Sequence, residues 1–107
     1  MGRTGGGIYS RVQSISFDDY GPETIGEIVD RNITGADWSQ ERLDGDSKLV
    51  TVEGYCPMYA QDIRITFRYE DMGSSYGASL QSIVFPESGD TTSDPISTAV
   101  VWATFYE

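Results

Sequence analysis

The clearest pattern along the chain lies at residues 63–69. There Ile63, Ile65, Phe67 and Tyr69 alternate with Arg64, Thr66 and Arg68, and Asp62 and Glu70 flank the run. A period of two, apolar on one side and polar on the other, predicts a strand in an antiparallel sheet with one wet face. A different period governs residues 25–33. Ile25, Ile28, Val29 and Ile33 fall at i, i+3, i+4 and i+8, one face of a helix. Thr24 and Glu27 form a T-x-x-E capping box at its start, and Asn32 and Gly35 supply the stop. So short a helix is not stable alone in water, so it must lie on the sheet.

The remaining segments fill out that sheet. Residues 8–17 are β-rich, with apolar Ile8, Val12, Ile15 and Phe17. Their alternation changes phase near Gln13 and Ser14, which predicts a bulged or cornering strand. Residues 38–43 and 48–54 flank Asp44-Gly45-Asp46-Ser47, a strong hairpin signal. Residues 55–60 read as a connection, 71–75 as a turn and 76–85 as a further strand ending at Pro86. Residues 86–95 form a polar loop. The β-branched and aromatic run at 96–106 predicts a last strand, with a buried helix as the alternative.

The expected fold is therefore α+β: one short helix packed across an antiparallel sheet of four to six strands, in β-α-β-β-β-β order. Cystatin-like and nuclear-transport-factor-like folds share this outline. Residues 1–7 read as a flexible leader and residues 8–107 as a single domain. The helix face should be buried against Ile63, Ile65, Phe67 and Tyr69, with Trp38 closing one end of the core.

Composition narrows what such a domain can do. The 107 residues carry 17 acidic and 7 basic side chains and no histidine, for a net charge of −10. Residues 1–53 and 54–107 each hold −5 of it, so there is neither an acidic tail nor a basic arm. Without clustered Lys and Arg, nucleic acid and anionic membrane surfaces are poor partners. The field favours a basic protein partner or a metal cation. No apolar run approaches the length of a membrane span, so no membrane insertion is expected, and no signal peptide is evident.

Candidate chemistry is sparse. The absence of histidine removes the Ser-His and Cys-His arrangements. Cys56, the single cysteine, excludes an intrachain disulfide and a multi-cysteine zinc site, and it reads as a small packed thiol. The pairs Asp18 with Asp19 and Asp44 with Asp46 fit turn usage better than acid–base catalysis. The oxygen-rich segments 44–47 and 90–94 lack the spacing of an EF-hand. Gly5-Gly6-Gly7 lacks the lysine and the following helix of a phosphate loop. Asn32-Ile33-Thr34 is a glycosylation sequon, best taken as chance. No catalytic residue, cofactor or metal is expected. The candidate protein-binding surface comprises Tyr55, Tyr59, Arg64, Arg68 and Tyr76, because tyrosine and arginine anchor interfaces well.

One longer pattern has a likeness. Thr24-Ile25-Gly26-Glu27-Ile28, then Trp38, Asp44-Gly45, Leu49-Val50-Thr51-Val52-Glu53-Gly54 and Ile63-Arg64-Ile65-Thr66-Phe67 resemble a small outer domain of membrane-anchored or lipoprotein-like proteins of Gram-positive bacteria. The likeness spans about residues 20–70. It departs where that family's aromatic pair is replaced by Val29-Asp30, and no upstream anchor segment is present. It implies one helix on an antiparallel sheet, a place outside the membrane and no reaction. The expected function is a non-catalytic module that binds a protein or self-associates into a homo-oligomer. The alternative is an acidic phage-type inhibitor acting in the host cytoplasm, occupying a basic nucleic-acid-binding groove as some anti-CRISPR proteins do. An enzyme using carboxylates and tyrosines is a third and weaker reading.

Overall fold

Five antiparallel strands form a meander, each hydrogen-bonded to the next in chain order: β1 (Thr34–Arg42), β2 (Ser47–Cys56), β3 (Gln61–Asp71), β4 (Tyr76–Phe85) and β5 (Asp90–Thr92). Helices α1 (Ile8–Gln13) and α2 (Ile25–Asn32) precede the sheet, and α3 (Pro95–Thr104) follows it. This computed structural model describes residues 8–17, 20–42, 47–73, 75–92 and 95–106. The expected leader 1–7, the Asp18/Asp19 and Asp44/Asp46 pairs and the Gly5–Gly7 run lie outside those residues. The fold class is α+β with an antiparallel sheet.

The alternation of β3 becomes a division between two environments. Ile63, Ile65, Phe67 and Tyr69 are all 1% exposed or less, while Arg64 and Arg68 face the other way. Val50 and Val52 of β2 and Ile83 and Phe85 of β4 complete the inner side. The ten pairs from Ser47↔Glu70 to Cys56↔Gln61 run without a break, because a one-residue slip would turn every valine and isoleucine outward.

On that inner side α2 forms where its spacing predicts. The Thr24 hydroxyl accepts from the Glu27 amide at 3.2 Å, and the Glu27 carboxylate accepts from the Thr24 amide at 2.9 Å. Ile25, Ile28 and Val29 are fully buried, and Ile33 caps the helix end. Trp38 stacks on Phe67, ring centroids 6.5 Å apart, at the margin of the core.

Three expectations fail. Residues 8–13 are helical, so among the described residues no strand precedes α2. Ile8 and Val12 stand at i and i+4 within the helix, a spacing that β-branched side chains disguise as part of a bulged strand. Val12 is fully buried, and the chain then closes through Ile25 N to Ile15 O at 2.7 Å. Residues 95–104 are helical, the alternative reading of this run rather than the expected last strand. Thr98, Trp102 and Phe105, at i, i+4 and i+7, are buried, and the core overrides β propensity. The loop expected over 86–95 contains β5, which extends the sheet through three pairs with β4.

Trp102 is the hub of this layer. It meets Phe17, Phe67, Phe105 and Tyr106 edge to face at centroid distances of 5.6–6.1 Å. Its indole donates to the Tyr106 hydroxyl at 3.1 Å. Asn32 Nδ2 donates to Ile28 O and Phe105 O, both at 2.9 Å, tying the end of α2 to the segment after α3. That nitrogen is the sequon's acceptor atom, and a glycan there would leave it one N–H, so at least one of the two bonds would be lost.

Two backbone details shape β1. The register slips between Thr34 and Asp37, and Gly35 takes a left-handed φ of 67° within the bulge. Gly54 opposite lets this entry pass close. A methyl group on it would sit 2.5 Å from Ile33 Cγ2 and 2.8 Å from the Thr34 carbonyl oxygen.

Candidate functional site: the outer sheet face

The outward side chains of β1 to β4 make a mostly polar surface, with Leu49 and Val84 among them, that no described helix covers. Its middle row is a set of hydroxyls: Ser39, Thr51, Thr66 and Ser82 are successive cross-strand neighbours. Thr51 and Thr66 bring their Oγ1 atoms to 3.5 Å. The row on one side runs Asp37, Glu53, Arg64 and Val84, and the row on the other runs Glu41, Leu49, Arg68 and Ser79. Acidic groups therefore gather toward β1, and the two arginines stand on β3.

Both arginines are paired. Arg64 Nε donates to Glu53 Oε2 at 2.6 Å across the strands. Arg68 Nε lies 3.3 Å from Glu70 Oε2 but outside hydrogen-bonding geometry, so the attraction is purely electrostatic and Nε has no hydrogen-bond acceptor among the described residues. Asp37 and Glu41 have no ion pair among the described residues. At one end of the face an open depression of about 540 Å³ lies between Thr34, Glu53, Tyr55, Asp62, Arg64 and Pro86.

The five expected surface residues separate. Tyr55, Arg64 and Arg68 share the outer face, and Tyr55 is 44% exposed. Tyr59 lies on the inner side, its ring 5.1 Å from Phe85 and its hydroxyl 3.0 Å from Thr104 Oγ1. Tyr76 points to the helix side at the far end of the sheet but remains 41% exposed. Its ring is 5.8 Å from Tyr69, with the Arg11 guanidinium 5.5 Å above it. Arg11 donates to the Tyr69 hydroxyl at 2.8 Å and pairs with Asp71 at 3.4 Å. The Tyr69 hydrogen bond is the main reason its pKa is raised. This cluster clamps α1 onto the sheet. The hydroxyl row escaped sequence reading because it exists only once the register of four strands is known. Outward alternation alone could have found its Thr51 and Thr66.

Cys56 is fully buried and unbonded. Burial raises the pKa of the Tyr106 phenol, against the lowering effect of the Trp102 donor. Among the described residues no three of Cys, Asp and Glu converge as metal ligands, and no helix is long and apolar enough to cross a membrane. In comparison with known proteins, the chain matches no family model, no curated protein and no solved structure.

Proposed function

We propose that the protein is a non-catalytic binding module that engages a protein partner of basic charge through the uncovered side of its sheet. The observation that carries this reading is the asymmetry of the sheet. The three described helices and the described core lie on one side, while the other presents a broad ordered array of hydroxyls, ion pairs and carboxylates that have no ion pair among the described residues. A net charge of −10 speeds encounter with a basic partner and makes the encounter sensitive to salt. The reading as an inhibitor that mimics nucleic acid asks for carboxylates aligned across one face. Arg64 and Arg68 interrupt that alignment at its centre, which favours a protein-binding surface of mixed charge.

The test compares partners captured from native extract by the whole chain and by Thr66→Arg, at low and high salt. A bulky cation in the middle of the outer face should abolish capture of the salt-sensitive partner without changing the circular dichroism. Capture unchanged by Thr66→Arg overturns the reading.

A further inference from the structure

The two edges of the sheet are unequal. β5 has 3 residues, a length that offers little to an incoming chain, whereas β1 has 9 and, among the described residues, pairs only with β2. Long edges in native proteins are blunted by lysine, proline, inward-pointing charge or a covering segment. β1, Thr-Gly-Ala-Asp-Trp-Ser-Gln-Glu-Arg, has no lysine and no proline, and its one inward charge, Arg42, is its last residue. Its bulge lies at the entry end, so the stretch from Asp37 to Arg42 is regular. Most of the strand is exposed, and α1 and α2 are the described helices that pack near it.

The geometry points to β1 as a docking edge that accepts an extended, basic segment of a partner protein as an added strand. The occupant follows from the alternation of β1. Asp37 and Glu41 point outward, four positions apart and without ion pairs among the described residues. A neighbouring strand would place lysine or arginine opposite each. Trp38 points inward, half-buried against Phe67, and calls for an apolar residue opposite. The segment would thus carry two basic residues four apart, with an apolar residue adjacent to the one that meets Asp37. Main-chain hydrogen bonds would hold it, and these alternating contacts would select it. A second copy of this chain fits less well, since β1 against β1 brings Asp37 and Glu41 of two copies together on the outer side. The inference rests on the protein-binding reading and specifies the partner's chemistry.

The probe is a display library of random peptides as long as β1, selected against the whole chain. Selected peptides should carry the basic spacing described, and on binding the amides of 37–42 should become protected from hydrogen exchange. Asp37→Lys with Glu41→Lys, both exposed, should weaken binding about tenfold or more while leaving the circular dichroism unchanged. Failure to enrich any peptide, enrichment without the basic spacing, or protection outside β1 overturns the docking edge. Protection of β1 that grows with protein concentration and needs no peptide also overturns it, in favour of self-pairing. Thr66→Arg tests the outer face separately. Loss of partner capture there, alongside a failed peptide selection, removes the edge and keeps the binding module.

Discussion

The same strand, β3, gives its two sides opposite duties. Its inward row of Ile63, Ile65, Phe67 and Tyr69 is sealed under three helices, and its outward row of Arg64, Thr66 and Arg68 meets solvent beside threonines and carboxylates. Stability is concentrated inside because removing apolar surface from water is the dominant favourable term in folding. Ion pairs half open to water contribute little. Folding therefore constrains the sequence of the inner side far more tightly than that of the outer side.

Four measurements sharpen that contrast. The largest effect belongs to Trp102→Ala, which empties the centre of the aromatic cluster. It should cost about 3–5 kcal/mol in urea unfolding, while the outward Thr66→Ala should cost about 0.5 kcal/mol or less. Equal losses would break the comparison. Next is Gly54→Ala, where the added methyl collides with Ile33 and the Thr34 backbone. Overpacking of this kind costs about 1–3 kcal/mol, and amide exchange should show the loss concentrated where β1 joins β2.

A smaller effect is set by pH. The folded-state pKa of Tyr106 lies above its unfolded value, so its contribution is full below the ordinary tyrosine pKa of about 10. It is lost as pH rises through the folded value. Unfolding midpoints should fall in that alkaline window, and Tyr106→Phe should flatten the decline. The smallest effect is that of Arg64→Ala. Its partner Glu53 is as exposed as it is, so the loss should be about 1 kcal/mol or less and should shrink in high salt.

How much of this was legible in the sequence depended on whether the deciding forces were local. The capping box and isoleucine spacing of α2 act within a few residues, and the helix stands where they put it. The alternation of β3 and the limits of β4 were likewise readable. α3 was not, because Ile96-Ser97-Thr98-Ala99-Val100-Val101-Trp102 is β-branched and apolar on every side. Its helix is imposed by the need to cover the sheet. α1 carried only Ile8 and Val12 at i and i+4, and a helix of 6 residues holds too little such spacing to outweigh β-like composition. For the candidate site, alternation sufficed to send Arg64 and Arg68 outward. Tyr59 and Tyr76 lie in or beside turns, where alternation gives no direction; the core claimed Tyr59, while Tyr76 turned to the helix side yet stayed exposed.

The bare α-carbon of residue 54 has a bearing on ancestry. Neighbouring positions in one strand face opposite filters: at 54 the approach of the Thr34 segment admits hydrogen alone, while at 55 the tyrosine stands half in water. Among descendants of this chain, glycine should persist at 54 through divergence that replaces its neighbour many times over. A lineage that lost it would have to re-route the crossing from α2 into the sheet.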